Sequence, residues 1–146
     1  LDQNTDKTVG FDGRVMSYQE VARLSNKLIT DVDLVDEVWS ERPSISHEPA
    51  FIYDEEYCGE SRASKLARLR SAMGDCQHHI ITSLDDIVWL FNIRGNDVDC
   101  NPVVLSYALI NQDNAILYVQ DNVVDVKTEA ILKRDSIMIF MKMLKN

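Results

Sequence analysis

Two apolar runs, VVLSYALI (103–110) and AILYVQ (115–120), close on the polar turn NQDN (111–114). Short runs rich in branched and aromatic residues on either side of a polar turn read as a β-hairpin. Neither run alternates cleanly between apolar and polar residues. The pattern therefore predicts strands buried on both faces, and such strands need cover on both faces. Segments with helical signals surround the hairpin. Ser61 caps a helix that runs to Met73, with Gly74 just past its end. On that helix Leu66, Leu69 and Met73 face one way. Arg62, Lys65, Arg68 and Arg70 take the other positions as a solvated face, or as a docking surface for an acidic partner. HHIITS (78–83) reads as a buried strand. Ser83 caps the next helix, with Asp85 and Asp86 in its first turn, where the helix dipole favours anions, and Gly95 beyond its end. VVDVKTEAILKRD (123–135) reads as a helix, SIMIF (136–140) as a strand and MKMLKN (141–146) as the start of another helix. Helices and strands alternate around one hairpin, so the expected class is α/β, a mixed β-sheet flanked by helices.

The first third of the chain is patterned less regularly. Residues 1–7 are polar and read as a frayed end, and TVGFDG (8–13) as a short strand closing in a turn. Ser17-x-x-Glu20 is a capping box, followed by an apolar stripe at Val21, Leu24 and Leu28 that predicts a helix through about Leu28. LVDEVWSERP (34–43) is mixed. Pro43 and Pro49 bracket a connector that leads to an extended run, EPAFIYD (48–54), and a second unit starts near Tyr57.

A chain of 146 residues suits one domain, or one domain and a piece of a second. Its net charge of −9 and pI of about 4.7 argue against nucleic acid and against an anionic membrane surface, both of which reward Lys and Arg. No apolar stretch approaches the length needed to span a bilayer, and no signal peptide opens the chain. The chain starts at Leu1 rather than Met, which reads as an excised piece of a longer protein or as processing. Cys58, Cys76 and Cys100 are odd in number and contain no Cys-x-x-Cys, so reduced thiols in a cytoplasmic protein are the simpler reading, with Cys76 and Cys100 as small core residues.

Catalytic chemistry finds little support. Asp97-x-Asp99-x-Asn101 imitates the first half of a calcium loop, but Pro102 stands where the turn glycine is needed and Ala108 where the bidentate Glu belongs. His78 and His79 are adjacent, so on a strand they point to opposite faces, one to the core and one to solvent. There is no Gly-x-Ser-x-Gly and no glycine-rich phosphate loop. These residues assign no catalytic and no metal-ligating role and point to a binding or accessory domain. Most of the apolar run 84–91 reads as core, with Trp89 as the candidate for a partly exposed contact surface.

The stretch SLDDIVWLFNIRGNDVDCNPVVLSYALI (83–110) resembles the second N-terminal domain of three-domain Xaa-Pro aminopeptidases, carried by Leu84, Asp85, Asp86, Ile87, Trp89, Leu90, Asn92, Arg94, Gly95, Asp97, Asn101, Pro102, Val103, Ser106 and Tyr107. LVDEVWSERP, TVGFDGRVMSYQEV (8–21) and YCGESRASKLARLRSAM (57–73) are similar to further segments of that family. The resemblance implies a creatinase/prolidase N-terminal-like fold. Residues 1–55 then match the end of a first N-terminal domain with its connector, and residues 56–146 most of a second; the leading strand is expected to complete the sheet of the second. It implies a parent enzyme that is a cytoplasmic, usually dimeric metallopeptidase of the pita-bread class, removing the residue before proline from peptides. Its two manganese ions sit in a catalytic domain whose ligands this chain lacks, so no cofactor is expected here. The implied partners are that catalytic domain of the same polypeptide and proline-containing peptides. Trp89, Arg94, Asn96, Asp97 and Asn101 are the expected cleft-rim or domain-interface residues. Arg94 has two readings: a pair with Asp97 that stiffens the turn, or a contact with a carboxylate of substrate or catalytic domain. A free-standing peptide-binding or interaction module of the same fold is the alternative function.

Overall fold

In the computed structural model, which describes residues 6–141, the leading TVG forms a strand, β1 (Thr8–Gly10). A short helix, α1 (Tyr18–Val21), a strand, β2 (Lys27–Ile29), and a second helix, α2 (Leu34–Val38), follow it. The capping box forms: the Ser17 hydroxyl accepts from the Glu20 amide, and the Glu20 carboxylate accepts from the Ser17 amide at 3.0 Å. The helix expected through Leu28 nevertheless stops at Val21. Ser25 and Asn26 offer the backbone side-chain alternatives that disfavour a helix interior, and the Asn26 amide donates to the Lys7 carbonyl at 3.1 Å. Leu28 then serves a strand, paired in parallel with Val9. α2 starts at Asp33, whose carboxylate accepts from the Val35 and Asp36 amides and also meets Arg42 at 2.7 Å and Arg14 at 3.2 Å. β1 pairs with β2 in a two-stranded sheet of its own, so the expectation that TVGFDG completes the main sheet is corrected.

The chain divides into two compact units, Leu1–Ser44 and Ile45–Asn146. The second holds β3 (Phe51–Ile52), α3 (Glu55–Cys58), α4 (Arg62–Met73), β4 (His79–Ile81), α5 (Leu84–Phe91), β5 (Ile93–Arg94), β6 (Ser106–Ile110), β7 (Ala115–Val119), α6 (Val126–Arg134) and β8 (Ile137–Met141). β3 and β5 form a small antiparallel pair. The main sheet has the order β4-β6-β7-β8, antiparallel through β7 and parallel between β7 and β8, with α6 as the crossover. A mixed sheet with helices is thus the observed class. The C-terminal helix expected over 141–146 gives way at Met141, the last residue of β8, and otherwise lies outside the described residues.

Register sorts the sheet into two unlike faces. Ala108, Ile110, Ala115, Leu117, Val119 and Ile137 are buried against Leu66 of α4, Ile87, Leu90 and Phe91 of α5 and Leu132 of α6. Each large side chain taken fully out of water contributes about 1.5–3 kcal/mol, so α5, with four buried apolar residues in two turns, anchors the layer. On the opposite face Ile80, Tyr107, Met138 and Phe140 are exposed, and Leu109, Ile116 and Tyr118 are half-buried. The hairpin is therefore buried on one face rather than two, because the helices collect on that one side. HHIITS is likewise not a buried strand: β4 is the sheet's edge, Ile80 is 68% exposed, and both His78 and His79 face solvent.

Candidate interaction site

α5 places Trp89 on the outer side of the helix, 46% exposed, while Val88, Leu90 and Phe91 turn inward. The helix ends at Asn92, a left-handed C-cap with φ 48°, a conformation Asn tolerates better than most residues. Its side chain is buried and works on both ends. Oδ1 accepts from Lys65 Nζ at 2.6 Å, and Nδ2 donates to the Glu60 carbonyl at 2.9 Å. Lys65 also donates to the Trp89 carbonyl at 2.8 Å and sits 4.4 Å from the centre of the Trp89 ring, with the Arg68 guanidinium 5.5 Å from the same ring. Burial pulls the Lys65 ammonium below the ordinary lysine range, since desolvation penalises the charged form.

These partners correct the reading of α4. Lys65 is 2% exposed, Arg62 pairs with Asp135 at 2.8 Å, and Arg70 Nε donates to the Asn111 carbonyl at 2.9 Å. Of the four cations, three tie α4 into the unit and Arg68, with its side chain 62% exposed, faces solvent. Helical spacing held the signal for two of them. Positions 62, 65, 66, 69 and 73 share one face, so Arg62 and Lys65 lie on the apolar stripe rather than opposite it.

Arg94, the last residue of β5, and the loop after it carry the other four expected residues. Arg94 Nη1 donates to the Val88 and Ile93 carbonyls at 3.0 and 2.7 Å, and its guanidinium lies 4.6 Å from the centre of the Tyr53 ring. Asp97 accepts from the Leu105 amide at 2.8 Å and the Glu48 amide at 3.2 Å. The expected Arg94–Asp97 pair is therefore replaced by two separate staples, because backbone groups reach each side chain first. Gly95 is closely packed: a Cβ there would meet Val104 Cγ2 at 2.7 Å and the Val103 carbonyl at 3.1 Å, so a side chain would force its neighbours to shift. Asn101 closes a tight turn on Val98, with Cys100 left-handed at φ 63° between them. Asn96, Val98, Asp99 and Cys100 form the exposed crest of this loop. Trp89 stands apart in its partners, with the α4 cations. Cys76 and Cys100 are exposed rather than core residues, each held in a polar turn, and Cys58 is half-buried.

Among the described residues no group of three or more His, Cys, Asp or Glu is disposed to hold a metal ion. The Asp97 carboxylate is committed to amide donors, and His78 and His79 sit on an exposed edge. The residues present do not fit a dinuclear centre, and none is assigned to one.

The Creatinase/Prolidase N-terminal domain family matches residues 41–145. A probable Xaa-Pro aminopeptidase P of Sordaria macrospora is 38% identical over 129 residues, covering 80% of this chain and 21% of the relative. One from Pyricularia oryzae is 36% identical over 144 residues, covering 90% and 23%. The chain thus spans about a fifth of the length of the curated relatives it matches. Among solved structures, X-prolyl aminopeptidase from Caenorhabditis elegans, described as a cytosolic enzyme with a di-nuclear active site, superposes with a TM-score of 0.81 at 26% identity, over 92% of this chain and 24% of that one.

Proposed function

The chain belongs to the creatinase/prolidase N-terminal domain family, and on that premise we propose that it is the non-catalytic N-terminal part of a metal-dependent Xaa-Pro aminopeptidase. The observation that carries this is coverage: 92% of the chain superposes on about a quarter of an X-prolyl aminopeptidase. Residues 1–55 are the end of a first domain and its connector, and residues 56–146 most of a second. Two divalent ions, manganese or similar, would be held by the catalytic domain of the same polypeptide and not by this chain, and would supply Lewis-acid chemistry there. The whole enzyme is cytoplasmic and dimeric and removes the residue before proline.

The part played by this chain is exclusion and assembly. An exopeptidase needs a rigid wall that admits a free N-terminus and refuses folded chains. The loop 94–101 suits such a rim because Arg94 and Asp97 fix it to interior backbone groups, leaving Asn96 on the exposed crest and Asn101 at the base of the turn. Trp89 offers the contact to a neighbouring domain.

Two measurements test this. Immunoblotting of source cells with an antibody to this segment should detect a band several times heavier than 16.7 kDa, and a band at 16.7 kDa alone would leave the free-standing module. In the full-length enzyme, Asn96→Trp should raise KM for long Xaa-Pro peptides while sparing dipeptides. Equal effects on both, or none, would remove the rim role.

A further inference from the structure

We propose that the helix-free face of the main sheet is an interface between two copies of this chain, stacked face to face about a two-fold axis lying between the sheets. This goes beyond the aminopeptidase reading and does not depend on it. The register sets the side chains of that face in two cross-strand rows. Ile80, Leu109, Ile116 and Met138 form one row, and Tyr107, Tyr118 and Phe140 form the other. The Tyr118 and Phe140 ring centres lie 5.6 Å apart, so the second row carries an aromatic strip across β7 and β8. Exposure is greatest at the two outer strands, at Ile80 on β4 and at Met138 and Phe140 on β8. An occupant of this face therefore has to span all four strands.

Composition separates this face from the one the helices cover. On β6 and β7 the covered side carries Ala108, Ala115 and Val119, small residues that let helices seat closely, beside Ile110 and Leu117. The open side carries two tyrosines, a phenylalanine and a methionine among its seven residues, and no charged side chain. Enrichment in aromatic residues and methionine, with charge depleted, is the compositional mark of the centre of a protein–protein interface.

Width, area and charge select a second copy. Four strands about 4.8 Å apart span roughly 15–20 Å, wider than a single helix of about 10–12 Å, whereas an identical sheet matches that width and packs about 10 Å away. With four large side chains about half exposed and three partly so, the face presents roughly 500 Å² of apolar surface. Two such faces in contact remove about 1,000 Å² from water, the size at which specific interfaces begin. The chain carries a net charge of −9, so two copies repel in most orientations. The open face holds no carboxylate and is where they can approach. A two-fold axis sets apolar rows on apolar rows, the self-complementarity that such a dimer requires.

The test uses the 146-residue chain. Sedimentation should show a reversible equilibrium approaching twice 16.7 kDa, with a dissociation constant of about 1–100 μM for an interface at this lower size limit. Added salt should tighten it, because screening relieves the repulsion between two chains of net charge −9. Peroxide oxidation of Met138 should slow as protein concentration rises through the same range, a readout that needs no variant. Tyr107→Lys, at an exposed position of the monomer, should weaken association about a hundredfold or more, since two like charges would be buried in one interface. Val38→Glu, on the exposed apolar surface of the first unit, should leave it unchanged. A chain that stays monomeric throughout overturns the proposal, as does a Met138 oxidation rate that concentration does not alter. A dimer that survives Tyr107→Lys and dissociates with Val38→Glu overturns it too. In the full-length enzyme, protection of Met138 that dilution does not relieve would also overturn it, the occupant then being a later segment of the same polypeptide.

Discussion

Replacing Asn92 should expose how much of the second unit depends on one buried amide. Its Oδ1 accepts from Lys65 Nζ at 2.6 Å and its Nδ2 donates to the Glu60 carbonyl at 2.9 Å. A hydrogen bond to a charged group is worth about 1.5–3 kcal/mol and a neutral one about 0.5–1.5 kcal/mol. Asn92→Gly loses both and should cost about 2–4 kcal/mol, Lys65 keeping the Trp89 carbonyl as its remaining acceptor. Asn92→Ala loses the same bonds and also places a Cβ at φ 48°. A left-handed residue with a Cβ costs about 1–2 kcal/mol, partly offset by glycine's larger unfolded-state entropy. Alanine should therefore be the worse variant by about 1 kcal/mol, the reverse of the usual order in a helix interior. Urea unfolding followed by Trp89 fluorescence in a Trp39→Phe background reports on the second unit alone. If both variants fall within about 0.5 kcal/mol of the parent, the Lys65–Asn92 bond does not hold the helix pair as argued. If glycine is the worse variant, the backbone argument fails.

Gly95→Ala should destabilise by about 1–3 kcal/mol through overpacking against Val104 Cγ2, and combined with Val104→Ala, itself destabilising because Val104 is buried, it should cost less than the sum of the two single losses, as thermal melts would show. Asp97→Ala should free the Leu105 and Glu48 amides, read as faster hydrogen exchange at those two positions and not in β6. In the first unit the Arg14 guanidinium, bonded to Asp12, holds that carboxyl down at about 2 from 3.8. The folded state thus binds fewer protons than the unfolded one in that window, so the stabilisation is complete above 3.8 and is lost as pH falls toward about 2. Acid titration of Asp12→Asn should lack that component. Cys76 and Cys100, both exposed, should react with a thiol reagent promptly in the native state, and Cys58 more slowly because it is half-buried.

Where partners lie close along the chain, the sequence by itself determined the outcome. α4 runs from its Ser61 cap to Gly74, α5 starts at Ser83, and the hairpin closes on NQDN, because capping and turn formation engage residues three or four apart. The 83–102 stretch could be read as a buried helix leading into a rigid polar loop for the same reason. Tertiary structure decided the rest. Whether Leu28 continues a helix or joins a strand depended on β1, and which face of the hairpin stays open depended on where three helices gathered. Arg62 found Asp135 at a separation of 73 residues, Arg70 found Asn111 at 41 and Lys65 found Asn92 at 27. No local pattern encodes such pairings, since a cation's partner is chosen by the packing that carries a distant acceptor to it. The open face of the main sheet is of that kind, a surface completed by β4 and β8, which meet the hairpin only in the folded chain.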